Sequence, residues 1–147
     1  MTWQRARTPK QKAKREQEIL DAAAELFLRE SYSDITLVKI AQVAGFTRSN
    51  VYRYFATKED IFLQLYQDDL EAFFTHLAQE LNALDVPASS AAISDTCATV
   101  IMEHPLLLAL LPLVTSVLEV NSSEEKLLQL KLELKNHAVG FYEALER

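Results

Sequence analysis

Arg48 and Asn50 stand two residues apart in the run Thr47-Arg-Ser-Asn-Val-Tyr-Arg-Tyr54, and both types can read the edge of a base. A guanidinium pairs bidentately with guanine and a carboxamide with adenine, so these two are the candidate base readers. Thr36, Thr47, Tyr52, Arg53, Tyr54 and Lys58 surround them as candidate phosphate contacts. Thr47 and Lys58 fall at expected helix N-termini, where free N–H groups and the helix dipole favour an anion. Tyrosine hydroxyls can donate to phosphate while their rings pack on the protein. Taken singly, Tyr52, Tyr54 and Phe55 fit a plain core as well, and Phe55 is assigned there.

Such residues work only if a scaffold holds them on one face. Leu37, Ile40, Ala41 and Ala44 define a short helix that Thr36 can cap and Gly45 can end in a left-handed conformation. Thr47 then caps a second short helix, Arg48 to Tyr54. Two short helices joined by a glycine turn read as a helix-turn-helix, with Ala41 small at the crossing and Val51 pointing inward. Upstream, Ile19, Leu20, Ala23, Leu26 and Phe27 recur at helical spacing between Lys10 and Arg29. Thr57 and Asp60 resemble a capping box at the start of a fourth helix. That helix carries Ile61 through Leu84 and extends roughly 40 Å at 1.5 Å per residue. A fifth helix holds Ile93, Cys97, Val100 and Ile101. The sixth, Pro105 to Leu118, is apolar on nearly every side, so it is expected to be buried centrally and bent at Pro112. A seventh runs towards the C-terminus with Leu127, Leu130, Leu134, Phe141 and Leu145 on one face. The expected fold is all-α: a three-helix, homeodomain-like helix-turn-helix head over residues 1–57, joined by the long fourth helix to a helical ligand-sensing and dimerisation body over residues 58–147.

Charge divides the chain at the same place. The 147 residues carry a net charge of −6 and are 49% hydrophobic, with two glycines and four prolines. Up to Lys58 there are eleven Lys/Arg and six acids, a net of +5; the remainder has four against fifteen, a net of −11. A basic head on an acidic body fits polyanion binding by the head. The N-terminal run Arg5 to Arg15 reads as a solvated tail slightly better than as a groove-seeking arm. Cys97 is the single cysteine and has no internal disulfide partner. No apolar signal region follows the basic N-terminus, and Leu106 to Leu118 is too short and interrupted to span a bilayer. The expected compartment is the cytoplasm.

The segment Phe46-Thr-Arg-Ser-Asn-Val-Tyr-Arg-Tyr-Phe-Ala-Thr-Lys-Glu-Asp-Ile-Phe62, preceded by a helix ending in Ala-Glu-Leu-Phe27, resembles the signature of the TetR family of bacterial transcription regulators. The likeness covers residues 10 to about 66. It departs at Ser49, where Gly or Ala is frequent, and at Arg53, where His is frequent. The resemblance implies the Arg48 helix in the major groove of double-stranded DNA, with Thr47, Tyr52, Tyr54 and Lys58 on phosphates. It also implies a homodimer on a palindromic operator, and a body that takes up a small-molecule effector. Family members typically continue through two further helices that build the dimer. Three arrangements stay open here: a truncated chain, a dimer on the sixth and seventh helices, or no dimer.

In the body, Phe73, Phe74, Leu77, Met102, Leu107, Leu110, Leu111 and Val114 are the candidate pocket residues, although such positions also make ordinary core. His76, His104 and His137 are scattered along the sequence without companions for a metal site, and no nucleophile–base set is visible. No metal, cofactor or enzymatic activity is therefore expected. The expected function is a ligand-responsive repressor; the alternative is a DNA-organising or protein-interaction module that keeps the head and regulates no promoter.

Overall fold

Thr8 opens the first helix with a full capping box: its hydroxyl accepts from Gln11 N at 3.2 Å, and Gln11 Oε1 accepts from Thr8 N at 3.2 Å. With Pro9 in the first turn, this cap carries helix through the basic run, so Lys10 to Arg15 belong to α1 (Pro9–Phe27). They are neither tail nor arm. The computed structural model describes residues 8–145, and Arg5, Arg7 and the side chain of Leu145 lie outside what it describes. Among the described residues there are helices and turns and no strand.

The chain forms two units that divide between Phe62 and Leu63. In the first, α1 packs on α2 (Leu37–Ala44) after a 3₁₀ turn at Tyr32–Asp34. Thr36 accepts from Lys39 N at 3.3 Å and caps α2, as its sequence position predicts. Gly45 ends α2 at φ +72° and ψ 27°, with Phe46 N bonded back to Ala41 O at 2.8 Å in a Schellman-type closure. The core of this unit is Ile19, Ala23, Ile35, Ile40, Val51, Phe55, Ile61 and Phe62, all at or below 1% exposure. The third helix is shorter than the sequence suggests: α3 spans Arg48–Val51, and Tyr52 to Phe55 continue as turns bonded to Arg48, Asn50 and Val51 carbonyls.

The long fourth helix, α4 (Lys58–Asn82), starts where Thr57 Oγ1 accepts from Asp60 N at 3.0 Å and runs across the division between the units. The second unit holds the rest of α4 with α5 (Ser90–Met102), α6 (Pro105–Leu113), a π-helical turn at Val114–Leu118, α7 (Glu119–Asn121) and α8 (Glu124–Leu145). Pro112 has no N–H for the helical ladder, and its ring crowds the carbonyl one turn back; the helix widens into the π turn just after it.

Two packing expectations change here. The sixth helix is not buried on all sides: Leu107 and Leu110 are interior, while Leu108 and Leu111 are 37% and 52% exposed. Described elements cover only one of its faces. On α8 the expected Leu127, Leu130, Leu134 and Phe141 face is the inward one, with Leu130 fully buried, and the outward side is also apolar through Leu128, Leu132, Val139 and Tyr142. Paired leucines along α8 put apolar groups on two sides at once, which a single-stripe reading misses.

Candidate nucleic-acid interface

The α2–Gly45–α3 unit separates its residues by face. Ile40, Ala41, Val51 and Phe55 turn inward and are buried. Thr36, Thr47, Arg48, Ser49, Tyr52 and Arg53 are exposed, and Asn50, Tyr54 and Lys58 are half-buried. Of the residues expected to read bases, Arg48 is exposed and Asn50 half-buried; of those expected to hold phosphate, Thr36, Thr47, Tyr52 and Arg53 are on the solvent side, and the assigned core aromatic, Phe55, lies inside.

Local bonding decides what each exposed group can offer. Thr47 sits at the N-cap of α3 with extended backbone, but its side chain makes no capping bond. The expected side-chain cap is therefore absent: the Thr47 carbonyl accepts from Asn50 N at 3.0 Å and Val51 N at 3.3 Å as the first backbone bonds of the helix, and the hydroxyl does not cap. Arg48 folds over Tyr52: Nη2 lies 2.7 Å and Nε 3.3 Å from the phenol oxygen, with the guanidinium carbon 5.1 Å from the ring centroid. One turn of helix thereby joins a guanidinium and a phenol into one exposed polar unit. Arg53 is exposed. Arg29 and Lys39, by contrast, pair with Glu25 at 2.8 Å and Glu30 at 2.6 Å.

Two residues outside the expected set contact members of this segment. Arg15 of α1 places its guanidinium 5.7 Å from the Phe46 ring, beside the turn; the basic run signals it only once that run is known to be helical. Tyr32 donates its hydroxyl to Glu59 Oε1 at 3.0 Å, and burial, reinforced by the Glu59 charge, pushes its phenol well above the ordinary tyrosine range. Lys58 Nζ is bonded to the carbonyls of Tyr32 and Ile35.

In the second unit the expected pocket residues separate. Leu77, Leu107, Leu110 and Val114 are buried, Phe73 and Phe74 half-buried, and Met102 and Leu111 exposed at 71% and 52%. A groove of about 230 Å³ between α4 and α8 is lined by Phe74, Thr75, Ala78, His137, Gly140 and Phe141, with the Phe74 and His137 rings stacked at 5.1 Å. A second, of about 310 Å³ between α4 and α5, is lined by His76, Glu80, Asp95, Thr96, Thr99 and Glu103. Phe74 is the one expected residue that lines either. The histidines are less scattered in space than in sequence: the His76 and His104 rings lie 5.8 Å apart, and Asp69 contacts His104 Nδ1 at 3.2 Å while accepting from Leu107 N at 2.8 Å. Among the described residues, no three His, Cys, Asp or Glu form a group that could hold a metal ion. No single described helix is long and apolar enough to cross a membrane.

Residues 19–65 match the family described as bacterial regulatory proteins, tetR family, and residues 67–147 match the tetracyclin repressor-like C-terminal domain. The fatty acid metabolism regulator protein of Bacillus subtilis is 31% identical over 100 residues, covering 68% of this chain and 48% of that protein. The HTH-type transcriptional regulator AcrR of Shigella flexneri is 40% identical over 63 residues, covering 42% of this chain and 29% of that one. In both pairings the aligned stretch is under half of the relative's length. In fold, the chain is similar to the fatty acid degradation regulator FadR from Bacillus halodurans, with a TM-score of 0.57 and 20% identity over 93% of this chain and 64% of that one.

Proposed function

This chain belongs to the TetR family of bacterial regulatory proteins, and we propose that it is a cytoplasmic transcription regulator, not an enzyme, that grips double-stranded DNA through the α2–Gly45–α3 unit. The observation that carries this reading is the sorting of that unit, with Ile40, Ala41, Val51 and Phe55 sealed inside and Thr47, Arg48, Tyr52 and Arg53 outside. Arg48 and Asn50 read base edges in the major groove; Thr36, Thr47, Tyr52, Arg53 and Tyr54 meet phosphates. The Arg48–Tyr52 contact favours this role, because a guanidinium already held by a phenol loses less freedom on meeting a base. The chain acts as a homodimer on a palindrome, joined on the outward apolar side of α8, and represses by occupying its operator. A small molecule taken up by the body relieves repression. Fatty acids are the first class to test, given the name of the Bacillus subtilis relative and the apolar groove at Phe74 and Phe141.

The test is selection of the purified protein against a random DNA library. A palindromic site should emerge, and Asn50→Ala should weaken it by about 1–3 kcal/mol while binding random DNA almost as before. Failure to enrich any sequence would sink the reading.

A further inference from the structure

The first two residues of α4 close on the segment that precedes α2. Lys58 Nζ lies 3.0 Å from the Tyr32 carbonyl oxygen and 2.9 Å from that of Ile35, and 4.3 Å from the centroid of the Tyr32 ring. Glu59 accepts the Tyr32 hydroxyl at 3.0 Å, and the Tyr32 ring meets Phe62 edge-on at 5.1 Å. Two of the ammonium's three N–H bonds are thus engaged with backbone carbonyls and its charge faces an aromatic ring. The neighbouring carboxylate holds the far end of the same tyrosine. The two gripped carbonyls belong to Tyr32, the first residue of the 3₁₀ turn, and to Ile35, which is fully buried just after it; Thr36, the cap of α2, follows directly.

We infer that Lys58 is a positioning residue for DNA recognition: with Tyr32 and Glu59 it clasps the α1–α2 connection to the start of α4 and so fixes where α2 begins and how α3 is presented. An ammonium engaged in this way keeps its positive charge, yet two of its three N–H bonds are spent on carbonyls, so it serves the DNA complex through the backbone it holds and not through the phosphate contact that its place at a helix N-terminus implies. Tyr32 serves the clasp as a neutral donor, and the raised phenol pKa agrees with that. The inference rests on the DNA-binding reading of the head; the clasp itself can be measured without DNA.

Lys58→Met in the full chain is the test, read by amide hydrogen exchange and by DNA titration against salt. The amides that depend on the clasped segment are Ile35 N to Tyr32 O, Lys39 N to the Thr36 hydroxyl, and Ile40 N to Thr36 O. Loss of two charge-assisted bonds should speed their exchange at least about tenfold. On DNA, preference for the selected site over random sequence should fall roughly tenfold with the salt slope changed by well under one unit, since a charge but no phosphate contact is removed. In Arg53→Ala, by comparison, the slope should drop by about one unit. A merely stabilising lysine would leave the site preference intact in the folded variant, and a phosphate-binding lysine would lower the slope with exchange unchanged; either result overturns the inference. If Lys58→Met does not fold, Tyr32→Phe removes only the Glu59 bond and should show the same pattern at about threefold. Wild-type exchange and preference in that variant overturn it too. Should the wild-type chain bind no DNA, the DNA reading fails, and exchange alone decides whether the clasp exists.

Discussion

Gly45→Ala isolates what the backbone of the recognition turn requires. Gly45 holds φ at +72°, and a Cβ placed on it would find no heavy atom within 4 Å. Packing therefore contributes nothing to the cost of a side chain, in either direction. What remains is the left-handed penalty of an L residue, roughly 1–2 kcal/mol. Against it stands the stiffer unfolded chain of an alanine variant, which recovers about 0.4–1 kcal/mol. The net expectation is a loss of about 1 kcal/mol for Ala. Asparagine enters the left-handed region more easily and should lose less, while β-branched valine should lose most. Urea unfolding followed by circular dichroism reads this directly. With a slope of about 2 kcal/mol per molar, the midpoint for Gly45→Ala should fall by about 0.5 M. The order Gly, Asn, Ala, Val is the signature of a purely conformational cost. An alanine variant as stable as wild type, or an asparagine variant worse than alanine, would refute the left-handed turn and with it the presentation of α3.

Three further outcomes follow from contacts in the second unit. Asp69→Ala removes the carboxylate that accepts Leu107 N at the start of α6 and contacts His104, so unfolding free energy should fall by about 2 kcal/mol, with Asp69→Asn recovering part; calorimetry reads the difference. Asp68 is exposed at its edge but partly desolvated by its neighbours, and this, with the charges of Glu71 and Glu133, raises its carboxyl above the ordinary 3.8 against an opposing hydrogen bond from Gln64 and the charge of Lys126. A raised acid contributes stability that is present below its unfolded pKa and lost as pH rises through the folded one, so Asp68→Asn should be the more stable protein at neutral pH and match wild type at a pH below 3.8. Leu128→Glu with Leu132→Glu charges the outward side of α8, where the two leucines are 62% and 55% exposed; light scattering should turn from dimer to monomer with helix content unchanged, and a persisting dimer would move the interface elsewhere.

The parts of this molecule that the sequence reveals are those whose causes are local. A threonine before an apolar run caps the helix that begins there, a glycine after it can take the left-handed turn, and both effects act within four residues; Thr36, Gly45 and Thr57 therefore do in the structure what their neighbours in sequence imply. The same locality explains why Phe55 is found in the core.

What escapes a linear reading is every device whose two halves meet only after folding. The cap of α6 comes from Asp69, 38 residues before the amide that it accepts, because His104 at the N-cap makes no capping bond and Pro105 brings no donor. His76 and His104 become neighbours by the same route, through the return of α5 to α4. Lys58 shows both kinds of cause at once: its place at a helix N-terminus beside α3 argues for phosphate, and carbonyls 23 and 26 residues upstream also hold its ammonium. A cation's chemistry in isolation says what it can bind, and only the fold says what has already been offered to it. Among the described residues of this head, Arg53 is exposed and Arg48 has N–H groups beyond those bonded to Tyr52, which is what the proposed DNA contact asks of them.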